Sequence, residues 1–274
     1  MAIKNCPVCD SQSFQSVVLL SERRAEQYVS VAPAEEVAKS RLDLEGCTQC
    51  GLVRQKPSSE VRKDYSHISR ATTRQLPHYV NDIIAGLSKR GVGKADPVLE
   101  VGANEGSFML KLREAGFTNI RGVEPSEELS QFAIAKGFEV DCDYFTAEFA
   151  TAYANKHGRV AAIVCRHTLE HVPDIKDMVL GFSRVLKPNG VVFIEVPDFD
   201  WVVGKLLTHE IWEEHITYFR AGSLSRLVAS LGMSAVNLER IRFRDTRNLM
   251  CWCVNAPNVS DAYGYVDEDA TLPD

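Results

Sequence analysis

An α/β fold is predicted for this 274-residue chain: a mostly parallel, doubly wound sheet closed by an antiparallel hairpin, with a small cysteine-bearing unit ahead of it. Three observations predict it. From Val98 to Val196, short apolar runs alternate with helical stretches, the order that builds a parallel sheet. The first of these runs opens into a glycine turn, Gly102 to Gly106, that leads into a helix. Four of the eight cysteines fall in two Cys-x-x-C pairs upstream of the sheet.

Composition narrows the function classes. A net charge of −6 argues against a chain built to grip nucleic-acid phosphates. With 45% hydrophobic and 25% charged residues it reads as an ordinary globular protein. No apolar stretch approaches the roughly 18 residues that a membrane helix needs. The opening MAIKNCPVCD lacks the apolar core of a secretory signal, so a cytoplasmic protein is expected. A reducing cytosol does not favour disulfides, and the cysteines call for another use.

The first element is the cysteine unit. Cys6 and Cys9 (CPVC) and Cys47 and Cys50 (CTQC) can each form a knuckle that converges two thiolates on one ion. Four thiolates suit tetrahedral zinc, and a site with all four positions filled is structural. The intervening segment contains a strand-like run, Ser16 to Leu20, and a charged stretch, Ala34 to Leu42, expected to be helical. Zinc would help a segment too short for its own core to fold. Cys142, Cys165, Cys251 and Cys253 sit in apolar surroundings and are read as small core hydrophobes.

The sheet follows. Val98 to Gly102 is a buried strand, and Ser107 to Ala115 a helix stopped by Gly116. The next strand, Ile120 to Glu124, ends in an acid 22 residues after Gly102, placed to accept hydrogen bonds from ribose hydroxyls. The G-x-G-x-x-G turn of dinucleotide-binding proteins is missing, which favours a nucleoside ligand without phosphates. A third strand near Phe138 to Val140 leads to Asp141 and Asp143. A fourth, Val160 to Cys165, opens into His167-Thr168-Leu169-Glu170-His171. A helix from Ile175 to Leu186 is expected to stop at Lys187 to Gly190, before a fifth strand, Val191 to Val196. A helix, Ala221 to Leu231, and a hairpin, Ala235 to Ile241 with Leu249 to Val254, complete the sheet. Its basic turn, Arg242 to Arg247, is read as a solvated tip.

The segments LEVGANEGSF, GVEPS, HTLEHVPD and RVLKPNGVVFIEVPD, in that order, resemble the successive motifs of class I S-adenosylmethionine-dependent methyltransferases. The resemblance implies a Rossmann-like sheet over about residues 96–256. It implies that Glu100, Gly102, Asn104 and Gly106 line the methionine end of the cofactor and that Glu124 holds the ribose. Asp143, or equally Asp141, would face the adenine, and His167 would stand beside the sulfonium. S-adenosylhomocysteine would be the product.

Between the fifth strand and the following helix lies an insert, 198–220, containing Glu210-Ile211-Trp212-Glu213-Glu214-His215-Ile216-Thr217-Tyr218-Phe219. A carbon nucleophile must lose a proton before it takes a methyl group, and a histidine with a pKa near neutrality suits that role. His215 is the candidate, oriented by Glu214 or Glu213; the alternative is a histidine that closes the pocket. Together with the cysteine unit, this segment is similar to the zinc-containing sugar C-methyltransferases, in which an acid-His-x-x-Tyr-Phe motif is matched by Glu214, His215, Tyr218 and Phe219. That resemblance implies proton removal next to the ketone of a nucleotide-linked sugar. It also implies a pocket contribution from a linker over 61–95, through Asp64 to Ser69. The chain departs from that family at Glu213, where a histidine is usual. The family's sequences also run on into a further α/β domain, whereas this one ends in a polar, acidic tail, 257–274, without a sheet pattern. A shortened relative, or one with another acceptor, is expected. The readings carried forward are C-methylation of a keto sugar or similar carbonyl compound, O- or N-methylation of a natural-product scaffold, methylation of RNA, which the charge disfavours, and a non-catalytic binding module.

Overall fold

The computed structural model describes residues 5–24, 39–56, 76–212, 214–256 and 265–266. The strands are β1 (Phe14–Arg24), β2 (Lys39–Cys47), β3 (Val53–Gln55), β4 (Val98–Val101), β5 (Ile120–Val123), β6 (Glu139–Asp141), β7 (Val160–Arg166), β8 (Leu186–Pro197), β9 (Thr217–Tyr218), β10 (Ser234–Phe243), β11 (Thr246–Val254) and β12 (Tyr265–Val266). The helices are α1 (Val80–Lys89), α2 (Ser107–Glu114), α3 (Glu127–Ala135), α4 (Ala147–His157), α5 (Ile175–Val185), α6 (Phe199–Gly204) and α7 (Ala221–Ser230).

The large sheet has the order β12-β10-β11-β8-β7-β4-β5-β6. Strands β8, β7, β4, β5 and β6 are parallel, while β11 runs antiparallel to both β8 and β10. The central strands are almost continuous apolar runs because helices cover both faces: β4 is buried throughout, and Val191 to Val196 of β8 are all buried. Ser126, Thr146 and Asp174 cap α3, α4 and α5, each accepting a backbone N–H with its side chain. Strand order reverses between β4 and β7, so their carboxyl ends open a crevice, the usual ligand position in such sheets.

The smaller sheet, β1-β2-β3-β9, joins the N-terminal unit to the insert that follows β8. Its core is shared: Leu42, Leu44 and Val53 pack with Phe199, Val202, Ile211 and Tyr218. Ser16 to Leu20 lie in β1, as expected. Lys39 to Leu42, expected to be helical, instead begin β2. The stretch Arg41-Leu42-Asp43-Leu44-Glu45 alternates polar and apolar residues, and Leu42 and Leu44 are buried while Asp43 and Glu45 are not, the period of a half-buried strand. Ala34 to Ala38 lie outside the described residues, as do Asp64 to Ser69 and Glu213. Two boundaries also differ from expectation. The turn at Lys187 to Gly190 is absorbed into β8, which starts at Leu186 with Asn189 at φ 59° and a register shift against β7. In the tail, Tyr265 and Val266 form β12, parallel to β10.

Candidate active site

The two cysteine knuckles face each other. Cys6 Sγ lies 3.4 Å from Cys50 Sγ, and Cys9 Sγ 3.5 Å from Cys47 Sγ. All four sulfurs fall within 4.8 Å of one another, and none is in a disulfide. Asp10 at φ 57° and Gly51 at φ 76° turn the chain back at each knuckle. Burial pushes the Cys47 thiol up, but hydrogen bonds from the backbone of Cys50 and Gln49 and from Cys9 pull it down to about 7. Burial pushes the Cys6 and Cys50 thiols up instead, and four soft sulfurs converging at this spacing fit a tetrahedral zinc ion.

A cavity of about 1010 Å³ occupies the crevice at the carboxyl ends of β4 and β7. One half is built by the β4–α2 turn. Gly102 has φ 75°, and a Cβ there would stand 2.1 Å from Thr168 Oγ1, so only glycine fits. Glu124, at the end of β5, is buried; its carboxylate accepts the Asn104 N–H at 2.8 Å and the Ser126 N–H at 2.9 Å. Burial raises its pKa while these two N–H groups oppose the shift. Glu100 is buried with one carboxylate oxygen unbonded, and burial pushes its pKa up to about 8. Glu100, Gly102, Asn104, Glu124 and Asp143 all line the cavity. Asp141 does not; its carbonyl accepts the Glu124 N–H. Gly106 is not on the wall either: it precedes α2 at φ 79°, backed by Ala133 and Phe138.

The other half holds the imidazoles. His167, at the mouth of β7, has φ 46° and lies between two buried carboxylates: Nε2 is 3.3 Å from Glu195 and Nδ1 3.5 Å from Glu170. Burial alone would lower its pKa, but these carboxylates lift it to about 10. His215 is buried, and its Nδ1–H donates to the Glu210 carbonyl at 3.1 Å. Burial, together with neighbouring His171, pushes its pKa down to about 3, far below the near-neutral value expected of this histidine, so in the cavity as it stands the ring is neutral. The two rings stand 4.8 Å apart, edge to face. His171 Nδ1–H donates to the Glu214 carbonyl at 2.9 Å.

Of the residues expected to carry proton chemistry, His215 lines the cavity, whereas Glu214 and Tyr218 do not. The carbonyl of Glu214 accepts from His171. Tyr218 belongs to β9, whose pairing with β3 turns its ring into the core 5.1 Å from Phe199; its hydroxyl donates to the Trp212 carbonyl.

The sequence reading missed a buried network behind His167. Glu195 receives Arg166 at 2.6 Å and Asn248 at 2.9 Å, and the Tyr79 hydroxyl donates to it as well. A lone acid inside the apolar run VVFIEV was the available signal for Glu195. Tyr79 and Asn248 carried none, because they come from distant elements. Glu170 lies in the stretch His167 to His171, where nothing local in the sequence gives it a role.

A family profile described as "Methyltransferase domain" matches residues 72–238. The C-methyltransferase NovU of Streptomyces niveus is 29% identical over 201 residues, covering 72% of this chain and 48% of that protein. The ubiquinone biosynthesis O-methyltransferase of Escherichia coli (strain K12 / DH10B) is 30% identical over 122 residues, covering 42% of this chain and 50% of that one. The chain thus spans about half the length of these curated relatives. Among solved structures, the magnesium protoporphyrin IX methyltransferase (ChlM) of Synechocystis PCC 6803 with bound SAM aligns with a TM-score of 0.51 at 14% identity. That alignment covers 71% of this chain and 86% of that one, and it identifies the fold.

Proposed function

The chain belongs to the methyltransferase-domain family, and from that membership we propose that it transfers a methyl group from S-adenosylmethionine to a small-molecule acceptor. We assign the methylated atom as a carbon next to a ketone, in a nucleotide-linked keto sugar or a similar carbonyl compound. The observation that carries this reading is the pair of buried histidines, His171 and His215, on the wall of the cavity that Glu124 also lines. An imidazole base is what carbon methylation needs and what simple transfer to an amine does not. The likeness to a relative named a C-methyltransferase supports carbon over oxygen.

S-adenosylmethionine, when bound, supplies the electrophilic methyl group and leaves as S-adenosylhomocysteine. Glu124 would accept hydrogen bonds from the ribose hydroxyls, Asp143 would face the adenine, and Glu100, Gly102 and Asn104 would hold the methionine end. Gly106 would shape that turn from behind, and His167 would separate the cofactor and acceptor halves. His215 would remove the acceptor proton, with Glu214 steadying His171 through its carbonyl and Tyr218 steadying Trp212. A structural zinc on Cys6, Cys9, Cys47 and Cys50 would hold the N-terminal unit. No helix among the described residues is long and apolar enough to cross a membrane.

The test is a keto-sugar nucleotide incubated with enzyme and cofactor in deuterated buffer. The wild type is expected to exchange the hydrogen next to the ketone and to methylate that carbon, and His215→Asn to lose both. Exchange retained in the variant would remove His215 from the mechanism. Turnover on a hydroxyl or amine scaffold, with none on the keto sugar, would replace carbon methylation with O- or N-methylation.

A further inference from the structure

Glu170 is 1% exposed, and neither of its carboxylate oxygens receives a hydrogen bond. A buried carboxylate in that state is costly unless cationic charge stands beside it. Its surroundings are imidazoles. His167 Nδ1 is 3.5 Å away on one side. On the other, a carboxylate oxygen and one ring nitrogen each from His171 and His215 lie within 4.8 Å of one another. The charged and titratable groups facing it are Cys165 from β7, His167 just after that strand, His171 from its own turn, and Glu210 and His215 from the segment before β9. In both His171 and His215, Nδ1 carries the hydrogen, because its partner is a carbonyl that only accepts. The other ring nitrogen of each is therefore a lone pair, ready to take a proton. His167 is already bound on its far side by Glu195.

We propose that Glu170 is the positioning residue of the proton-transfer step: its carboxylate is the counter-charge that allows His215 to hold the proton taken from the acceptor. The proposal rests on the carbon-methylation reading above. His215 accepts the proton on its free ring nitrogen, and the C–H electron pair stays with the acceptor as an enolate. The new imidazolium is held in the field of Glu170 and returns its proton to solvent after product leaves. Glu170 differs from a carboxylate that receives the Nδ1–H of a catalytic histidine: that N–H goes to the Glu210 carbonyl, so Glu170 acts through its charge. The acid comes from the turn after β7, not from the residue next to the histidine in sequence.

The test compares wild type, Glu170→Gln and Glu170→Asp in the full chain. Each is followed by histidine ring-nitrogen NMR across pH, S-adenosylhomocysteine calorimetry and turnover of the keto-sugar nucleotide. Glu170→Gln is expected to cut kcat about 100-fold, the scale of a general base, and, because His215 already lies near 3 with Glu170 in place, to remove any protonated His215 signal at pH values where the chain stays folded. Glu170→Asp should recover part of both, with cofactor affinity kept in each variant. Unchanged His215 titration in Glu170→Gln would overturn the proposal. So would a second divalent ion per chain, beyond that at the cysteines, that is lost in Glu170→Gln, since Glu170 would then be a metal ligand. A wild type inert on the keto sugar would defeat the carbon-methylation reading instead, while the NMR titration would still decide the role of Glu170.

Discussion

Glu124 and His167 show how differently two buried ionisable groups are stabilised. Glu124 spends part of its accepting capacity on two backbone N–H groups and keeps the rest for a ligand. Glu124→Ala should therefore weaken S-adenosylhomocysteine binding by roughly 1.5–3 kcal/mol, about 10- to 100-fold, the range for hydrogen bonds to a charged group. Calorimetry checks it, and unchanged affinity would take Glu124 out of the cofactor site. His167 bears on stability. Its folded pKa, about 10, lies above the unfolded value near 6.5. The proton it holds thus stabilises the fold fully below about pH 6.5, and that contribution is lost as pH rises toward 10. Its partner Glu195 is shifted down, so that acid's contribution is lost only as pH falls below the usual carboxylate range. The stability difference between wild type and His167→Gln, from urea unfolding, should be largest near pH 5–6.5 and shrink toward pH 10. A difference independent of pH would mean that the charged pair contributes nothing.

Among the elements, the short strand β3 couples the cysteine unit to the segment that carries His215. Gln55 donates from its side chain to the carbonyls of Trp212 and His215, each at 3.0 Å, and its backbone N–H donates to the Ile216 carbonyl. Gln55→Ala should speed amide hydrogen exchange across 210–218 and lower kcat several-fold, with cofactor affinity unchanged. Exchange confined to its wild-type rate would show that the segment holds itself. Such pairings also mark where the sequence stops being legible. The glycine turn, Glu124 and the knuckles could be read because their chemistry is local: a turn, a strand end, a fixed spacing. His215 could be found from its neighbours in sequence. The orientation of Tyr218 could not, because it depends on pairing with a strand about 160 residues earlier. Glu214 looked like the partner of His215 by adjacency, yet its carbonyl meets His171, and Glu170 reaches both rings only after folding.

Across the whole molecule, the cysteine cluster, β3, β9 and the histidine wall form one continuous structure, since the small sheet's core is completed by Phe199, Val202, Ile211 and Tyr218. Loss of the zinc proposed for this cluster should therefore be felt at the histidine wall. Chelation, or Cys47→Ser, is expected to lower the melting temperature and to give the same faster exchange at 210–218 that is predicted for Gln55→Ala. An unchanged melting temperature would argue against a structural ion. The crevice between β4 and β7 is where we propose that S-adenosylmethionine binds. The most direct test is calorimetric titration of the purified full chain with S-adenosylhomocysteine. One site per chain, weakened in Glu124→Ala and retained in His215→Asn, is the predicted result; no detectable binding to the wild type would contradict it.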